Sequence, residues 1–351
     1  MGEKLLMKGN EVIAEAALRA GCRYYFGYPI TPQTEIAHYF AKKMPSYNGT
    51  FVQAESEIAA INMVYGAASA GARVMTTSSS PGISLKQEGI SYASCAELPA
   101  VVVNIVRCGP GLGGILPAQC DYFQSVKGGG HGDYKIVVLA PSSVQELYEL
   151  TVEAFNIADK YRVISMIMGD GILGQMMEAV EFKDSEDIQA SDKSWATVGT
   201  GMKRDHNVIT SIYINPEVLE QHNLKLQAKY ARIVENETRV EVFNCENADI
   251  IVAAYGTVAR IVKNVVRMAE KEGIKVGLIR PITLWPFPDG AFEKYAEVPK
   301  AFLSVEMSAG QMIEDVRLAL NGKRPVHFYG RMGGMIPTQQ DILNKIKEIL
   351  K

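Results

Sequence analysis

Five segments combine reactive side chains with the glycine or proline that a binding loop needs. In open α/β sheets ligands bind beyond the carboxyl ends of the strands, so the loops after predicted strands are the places to examine. The five segments are residues 27–32 (Gly-Tyr-Pro-Ile-Thr-Pro), 55–57 (Glu-Ser-Glu), 76–82, 107–117 and 169–171 (Gly-Asp-Gly).

The loop of residues 27–32 presents a threonine hydroxyl on a rigid backbone. Pro29 and Pro32 flank Thr31 closely, and a proline ring fixes its own φ angle. A hydroxyl held in this way can orient a polar group of a substrate. The alternative is a proline-rich connection whose threonine caps the next helix, since prolines are common in such loops.

The second segment places Glu55 and Glu57 at the start of an apolar helix predicted over residues 56–70. Acidic residues at a helix N-terminus usually only complement the helix dipole. A carboxylate drawn into apolar surroundings can instead share a proton with a bound group, because burial disfavours its charged form. Only one of the two glutamates needs such a role.

Residues 107–117 join an arginine to a glycine-rich loop. Residues 109–114 formally match the G-x-G-x-x-G pattern, but Pro110 and Pro117 do not suit a helix that opens at a phosphate. No acidic residue ends a next strand at the expected place, so we exclude a dinucleotide site. Arg107 suits a bidentate clamp on a carboxylate, with an ordinary surface arginine as the alternative.

Metal sites find little support in the sequence. Residues 169–171 resemble the start of the metal site of thiamine diphosphate enzymes, but the window that should complete it, residues 196–201, contains no asparagine. We therefore expect Asp170 to be a turn residue rather than a Mg²⁺ ligand. The five histidines lack zinc-ligand spacing, and the five cysteines lack the close spacing of iron–sulfur ligands. We expect no metal on this chain.

Predicted strands and helices alternate from residue 9 to residue 169 and would position these segments. Apolar strands are expected at residues 24–26, 51–53, 73–77, 100–106, 136–140 and 163–168, with helices in most of the intervals. Such strands predict a parallel sheet covered by helices on both faces.

Three regions are expected along the chain. Residues 1–182 form the first α/β domain, and residues 183–247 are a more polar insert or linker that lacks the alternation. The alternation returns in residues 248–351, with strands at 250–254, 275–279, 301–305 and 326–329, and predicts a second, smaller α/β domain.

Composition excludes several classes of protein. The 351 residues are 47% hydrophobic and 21% charged with a net charge of −3, which describes a folded chain. Neither charge sign forms a run, which argues against nucleic-acid binding. The longest apolar stretch, near residues 98–106, is shorter than the roughly 18 residues of a membrane span. With no apolar signal-peptide core, we expect a soluble, cytoplasmic protein.

These motifs resemble the α subunit of the 2-oxoacid:ferredoxin oxidoreductases, thiamine-dependent enzymes that make acyl-CoA and reduce ferredoxin. Residues 27–32 match the family's hallmark loop and residues 55–60 its following helix. The matching register continues through residues 80–89, 97–99, 107–110 and 130–133, and residues 254–257, 281–288 and 305–312 resemble a transketolase C-terminal-type domain. The resemblance is weakest over residues 183–247.

The resemblance implies a thiamine-diphosphate-binding fold, with a pyrimidine-binding-type domain followed by a transketolase C-terminal-like domain. Glu57 aligns with the glutamate that hydrogen-bonds the aminopyrimidine ring and stabilises its imino tautomer. Thr31 and Arg107 match substrate-contacting residues, and Arg107 would hold the carboxylate that leaves as CO₂. Pro29 and Thr31 are also expected at the cofactor.

The family also implies cofactors and partners. Thiamine diphosphate with Mg²⁺ would have its diphosphate and metal held by a β subunit, and coenzyme A would be the co-substrate. The [4Fe-4S] clusters would lie on partner subunits, since a γ subunit and a ferredoxin-like subunit complete the complex that reduces ferredoxin. The chain alone should be inactive, and the reaction is typical of anaerobic metabolism.

The sequence leaves alternatives to the function of a catalytic 2-oxoisovalerate subunit. The chain is most similar to the 2-oxoisovalerate branch of the family, with the 2-oxoglutarate branch close behind. A non-catalytic scaffold subunit would be indicated by loss of Glu57, which is present. A thiamine-dependent decarboxylase without electron transfer is less favoured, because the loop of residues 28–32 is typical of the ferredoxin-coupled relatives.

Overall fold

A computed structural model describes residues 4–182 and 191–351 of the chain. In chain order the strands are β1 (Lys4–Lys8), β2 (Tyr24–Gly27), β3 (Thr50–Gln53), β4 (Val74–Ser78), β5 (Ala100–Val106), β6 (Val137–Leu139), β7 (Ile164–Asp170), β8 (Met177–Glu181), β9 (Val240–Phe243), β10 (Ile250–Ala253), β11 (Val276–Pro281), β12 (Thr283–Trp285), β13 (Ala301–Glu306) and β14 (Val326–Gly330).

The helices between them are α1 (Gly9–Arg19), α2 (Thr34–Lys43), α3 (Glu57–Ser69), α4 (Ser80–Cys95), α5 (Tyr122–Val126), α6 (Val144–Tyr161), α7 (Gly171–Gln175), α8 (Pro216–Glu237), α9 (Gly256–Glu270), α10 (Asp289–Tyr295), α11 (Met312–Leu320) and α12 (Gln339–Leu350). A 3₁₀ turn over Met44–Tyr47 follows α2.

The larger sheet has seven strands in the order β12-β6-β7-β5-β4-β2-β3. Its pairs are parallel except at the edge, where β12 runs antiparallel to β6. The central strand β5 is buried along its whole length, as expected for a parallel sheet with helices on both faces.

Alternate residues of β5 enter two different cores. Val101, Val103 and Ile105 pack in the cluster that includes residues of α1, α2 and α6. Val102 and Val106 pack in the cluster that includes residues of α3 and α4. Because side chains alternate across a strand, one apolar strand supplies both cores. The predicted two-faced α/β sheet is confirmed.

A second sheet has five strands in the order β14-β13-β10-β11-β9, with β9 antiparallel to β11. Strands β1 and β8 form a separate antiparallel pair. Helices α9 and α12 cover one face of the five-stranded sheet. On the other face, residues of β10, β13, α10 and α11 pack in the same cluster as α3 and α4. The seven-stranded and five-stranded sheets therefore share one continuous apolar core.

The segment interpreted as an insert or linker contains regular structure in its described part. The 22-residue helix α8 buries five of its residues, and Leu226, Tyr230 and Ile233 pack in the core of the seven-stranded sheet. Strand β9 joins the five-stranded sheet. The lack of alternating strands and helices in this segment did not indicate an absence of regular structure. A helix that buries only one narrow stripe of residues has a mostly polar sequence, so its apolar periodicity is weak. Residues 183–190 lie outside the described part.

One further element was not expected from the sequence. Strand β12 has three residues and pairs with β6, so a segment of the second half completes the sheet of the first half. Within the described ranges, no helix combines the length and apolar character needed to cross a bilayer.

Candidate active site

The predicted loops converge where the strand order of the seven-stranded sheet reverses. From β2 the chain passes to β3 on one side, and from β4 it passes to β5 on the other side. Helices α2 and α4 consequently lie on opposite faces. The carboxyl ends of β2 and β4 thus flank a topological switch point, the usual position of a ligand site in this kind of sheet.

Buried hydrogen bonds fix the loop that follows β2. The Tyr25 hydroxyl and the Thr77 hydroxyl are 2.7 Å apart, and Thr77 donates to Gln33 Oε1 at 2.5 Å. All three side chains are buried. Pro29 and Thr31 lie exposed at the apex of the loop. Thr31 is therefore accessible from outside the chain, on a loop that these hydrogen bonds anchor at its base.

Arg107 ties this loop to the loop that follows β5. Its side chain is buried, with Nη1 donating to the main-chain oxygen of Thr31 at 3.0 Å and Nη2 to that of Leu112 at 3.1 Å. Its Nε has no hydrogen-bond partner among the described residues. The guanidinium thus joins two loops, and only its remaining donors can bind a ligand.

The glycine-rich segment after Arg107 forms a closed loop rather than a phosphate-binding turn. Arg107 pairs with Pro117 in an isolated antiparallel bridge, and the next helix, α5, begins only at Tyr122. The geometry therefore lacks the loop-to-helix transition that a dinucleotide-binding motif requires.

A polar chain links β5 to the start of α4. Asn104 accepts from the Ser80 main-chain N–H at 3.1 Å and donates to Asp121 Oδ2 at 2.9 Å. Burial raises the pKa of Asp121, while hydrogen bonds from Ser80 and Asn104 oppose this rise. Sequence reasoning missed Asn104, although a lone asparagine in the apolar run of residues 100–106 was a visible signal, since buried polar groups are normally hydrogen-bonded.

Glu57 and Glu55 have different environments. Glu57 is the first residue of α3 and only 6% exposed, whereas Glu55 is exposed. The helix is capped separately, because Ser56 Oγ accepts from the Ala59 main-chain N–H at 3.2 Å. No group in residues 4–182 or 191–351 donates a hydrogen bond to the Glu57 carboxylate. The carboxylate is therefore free to accept a hydrogen bond from a bound molecule.

A glycine makes room for this carboxylate. A Cβ atom added at Gly82, in the first turn of α4, would lie 2.6 Å from Glu57 Oε1 and would also clash with Ser78 Oγ. Glu57 therefore lies against the start of α4, and Ser80 connects the same turn to Arg107 through a 3.1 Å hydrogen bond from the Arg107 main-chain N–H. Glu57 and Arg107 therefore both adjoin the first turn of α4, and Arg107 connects that turn to Thr31.

Lys86 of α4 is the buried cation beside Glu57. The side chain is 0% exposed, and Nζ donates to the Glu57 main-chain oxygen at 3.3 Å. Burial lowers the pKa of Lys86 to about 8, and the negative charge of Glu57 opposes this shift.

A cavity of about 430 Å³ opens beside Arg107. Loops of both sheets line it, including Ser80, Arg107, Cys120, Met307, Gln311 and Met332. A small organic group attached to a ligand at Arg107 therefore has space between the two halves of the chain.

Asp170 acts as a helix cap. Its Oδ1 accepts from the main-chain N–H groups of Ile172 and Leu173 at 2.9 and 3.2 Å, and burial raises its pKa. The described residues contain no group of three or more His, Cys, Asp or Glu side chains able to hold a metal ion. Because its Oδ1 already accepts from two main-chain N–H groups, Asp170 is a poor candidate for a Mg²⁺ ligand.

The fold defines the class of protein. The chain superposes on a split-gene transketolase with a TM-score of 0.60 over 98% of both chains at 12% identity, a likeness of fold alone. Residues 15–241 match the family model described as pyruvate flavodoxin/ferredoxin oxidoreductase, thiamine diphosphate-binding, and residues 248–342 match pyruvate:ferredoxin oxidoreductase core domain II. The molecule is therefore an α/β protein of the thiamine-diphosphate-binding type.

Similarity to individual proteins specifies the type of enzyme within this class. The chain is 52% identical to the ketoisovalerate oxidoreductase subunit VorB of Methanothermobacter thermautotrophicus, over 98% of this chain and 97% of that one. It is 37% identical to the 2-oxoglutarate synthase subunit KorA of the same organism, over 99% of both chains. A solved 2-oxoglutarate:ferredoxin oxidoreductase from Magnetococcus marinus, with 2-oxoglutarate, coenzyme A and succinyl-CoA bound, superposes with a TM-score of 0.91 at 27% identity, over all of this chain and 66% of that chain.

The chain belongs to the family of 2-oxoacid:ferredoxin oxidoreductase subunits. It is part of an oxidoreductase that acts on 2-oxo acids with ferredoxin as the electron acceptor, as its resemblance to the family implied. The relatives are named as subunits, so partner chains belong to the active enzyme.

Proposed function

We propose that the chain is the pyrimidine-binding subunit of a 2-oxoisovalerate:ferredoxin oxidoreductase. The enzyme would convert 2-oxoisovalerate and coenzyme A into the branched acyl-CoA and CO₂ while reducing ferredoxin. The observation that carries the proposal is the buried Glu57 carboxylate at the switch point, which has no donor within the described part of the chain.

Glu57 would hold a proton at the ring nitrogen of the bound pyrimidine. A carboxylate and a ring nitrogen are both acceptors, so the contact requires one proton between them. Thiamine diphosphate, when bound, supplies the nucleophilic carbon and the electron sink for decarboxylation. Pro29 and Thr31 would form the rigid rim against which the ring is placed.

Arg107 would bind the carboxylate of the 2-oxo acid with the donors that its loop contacts leave free, and the Thr31 hydroxyl would bind the oxo or carboxylate oxygen. Charge-assisted contacts of this kind position a substrate strongly. The hydrogen bond from Arg107 to the Thr31 main-chain oxygen would keep the guanidinium and the Thr31 hydroxyl at a fixed relative position.

Two observations support an uncharged substrate side chain. A dicarboxylate would need a second cation, and Lys86 and Lys127 are the nearest candidates in sequence. Lys86 is buried against Glu57, and Lys127 pairs with Asp315. The most similar relative named above is a ketoisovalerate oxidoreductase subunit, which favours a branched chain over 2-oxoglutarate.

Partner subunits would complete the site. Tyr28, Ile58, Met63, Leu85 and Leu112 are large apolar side chains left exposed on the loops and helices of the site, and such patches mark interaction surfaces. A β subunit would cover them and bring Mg²⁺ and the diphosphate-binding domain. A γ subunit and a ferredoxin-like subunit with [4Fe-4S] clusters would complete the path from the substrate and coenzyme A to ferredoxin.

The test is dye reduction by the purified complex. Viologen reduction would be measured with thiamine diphosphate, Mg²⁺ and coenzyme A, and with 2-oxoisovalerate, pyruvate and 2-oxoglutarate compared. We expect the highest kcat/KM for 2-oxoisovalerate. A preference for 2-oxoglutarate would overturn the proposed substrate and leave the proposed reaction class intact. Activity of the complex without this chain would show that the chain is a non-catalytic scaffold.

A further inference from the structure

We propose that Ser78 is a positioning residue whose buried hydroxyl holds the Glu57 carboxylate in place when the cofactor is bound. This inference deepens the proposed function and rests on the role given there to Glu57. It concerns a hydroxyl that the reaction outlined above does not use.

Ser78 ends strand β4 on the face of the sheet that α3 and α4 cover. Val74, at the start of the same strand, packs in the cluster that includes residues of both helices. Because side chains alternate across a strand, Ser78 points to the same face as Val74. Its side chain is 0% exposed. A polar group therefore lies buried among the elements that build the site.

The Ser78 hydroxyl has no hydrogen-bond partner within residues 4–182 and 191–351. Buried polar groups are normally hydrogen-bonded, and burying a hydroxyl without a partner costs free energy. Strand β4 is one of the two strands whose carboxyl ends flank the switch point. An unpaired hydroxyl at this position indicates a partner that is reached only when the site is loaded.

Gly82 identifies that partner. A Cβ atom added at Gly82 would lie 2.0 Å from Ser78 Oγ and 2.6 Å from Glu57 Oε1. The hydroxyl and the carboxylate therefore border the same small space, which the missing side chain of Gly82 leaves open. A change in the rotamer of either side chain can join the two oxygens without movement of the main chain.

Other polar groups beside Glu57 already have different partners. Ser56 Oγ caps α3, and Ser80 Oγ accepts a main-chain N–H from the loop after β5. Lys86 Nζ donates to the main-chain oxygen of Glu57 and not to its carboxylate. Ser78 is thus the donor that the close approach at Gly82 places beside the carboxylate.

The contact is compatible with the role proposed for Glu57. A hydroxyl donates to a carboxyl oxygen whether or not the carboxyl carries a proton, and a carboxylate has acceptor sites for more than one donor. Glu57 can therefore accept from Ser78 and still share a proton with the ring nitrogen of the pyrimidine. Holding the carboxylate matters because a misplacement of about 1 Å can cost a large part of the rate.

The experiment is calorimetry of thiamine diphosphate binding, with Mg²⁺, to the cofactor-free complex, together with steady-state dye reduction. We expect Ser78→Ala to weaken the affinity about three- to tenfold, the scale of one lost hydrogen bond. We expect kcat to fall by a similar factor. The KM for the 2-oxo acid should stay within about twofold, because Arg107 and Thr31 still hold the substrate.

Ser165→Ala is the matched control. Ser165, in β7, is likewise a serine of the seven-stranded sheet that is 0% exposed and has no partner within the described part of the chain. Both alanine variants should keep or raise the thermal midpoint of the cofactor-free complex, because each removes an unpaired buried hydroxyl. Only Ser78→Ala should weaken cofactor binding.

Two results with these variants would overturn the inference. Wild-type affinity and kcat in Ser78→Ala would show that the hydroxyl does not act on the site. A thermal midpoint of Ser78→Ala below that of Ser165→Ala would show that the hydroxyl already has a structural partner in the cofactor-free complex.

A double variant tests whether Ser78 acts through Glu57. Adding Ser78→Ala to Glu57→Gln should change neither the affinity nor kcat by more than about twofold, since the effects of residues in contact do not add. The same losses in both backgrounds would overturn the inference and leave Glu57 in place. Wild-type affinity and kcat in Glu57→Gln would instead overturn the proposed contact of Glu57 with the cofactor.

Discussion

At the scale of single residues, burial separates two glutamates that are two positions apart. Glu57 faces the start of α4 with an unpaired carboxylate, and Glu55 is exposed. We expect Glu57→Gln to assemble normally and to lower kcat by about 10²-fold or more, the usual scale for a group that moves a proton in the reaction. Steady-state dye reduction measures this.

Glu55→Gln is the matched control for that substitution. It removes the same charge from the same helix start, so turnover should stay within about twofold of the wild type, since surface substitutions away from a site usually have small effects. Equal losses in the two variants, or a larger loss in Glu55→Gln, would show that Glu57 is not the cofactor's partner.

Arg107 gives a second test at this scale. Arg107→Ala removes the charge and both loop contacts, and losing a charge-assisted contact costs about 1.5–3 kcal/mol. We therefore expect kcat/KM to fall roughly ten- to a hundredfold. Arg107→Lys should recover only part of it, because one ammonium cannot replace a planar fork. Unchanged kcat/KM in Arg107→Ala would remove this residue from the site.

At the scale of elements, the site depends on how closely α3 and α4 begin beside each other. Gly82 lacks the Cβ atom that would lie 2.6 Å from Glu57 Oε1. We expect Gly82→Ala to displace the carboxylate and weaken thiamine diphosphate binding to the complex by at least tenfold, about 1.4 kcal/mol. Calorimetry on the complex measures the affinity.

Gly66→Ala is the control for this change. Gly66 lies in α3 with no atom within 4 Å of an added Cβ. Alanine there should leave cofactor affinity unchanged and stabilise the helix by up to about 1 kcal/mol. If Gly82→Ala bound the cofactor as well as Gly66→Ala does, the close approach of α4 to Glu57 would have no functional importance.

At the scale of the whole molecule, the proposed function assigns only the pyrimidine side of the cofactor to this chain. Asp170 is occupied as a helix cap, and the described residues hold no cluster of metal-binding side chains. We therefore expect the isolated chain to bind thiamine diphosphate weakly or not at all, even with Mg²⁺. Calorimetry on the lone subunit decides this, and micromolar binding would contradict our reading of Gly169–Gly171.

The order of most strands and helices could be predicted from the sequence, because it depends on the local pattern of apolar and polar residues. Apolar runs with intervening amphipathic segments predicted the strands from β2 to β7 and the second α/β region, and the structure contains them within a few residues. The elements that were missed have weak local signals. Helix α8 buries five of 22 residues, and β12 has only three residues.

The residue types available to the site, and the family that the motifs resemble, could be identified from the amino-acid sequence alone. Burial and pairing were decided by tertiary structure, because they depend on which segments meet. Only the fold places Gly82 against the Glu57 carboxylate and Lys86 against the Glu57 main-chain oxygen. It also brings the Arg107 guanidinium to the main-chain oxygen of Thr31. Glu55 and Glu57 are identical in chemistry, and it is the packing of α3 on α4 that buries one of them and leaves its carboxylate without an internal donor.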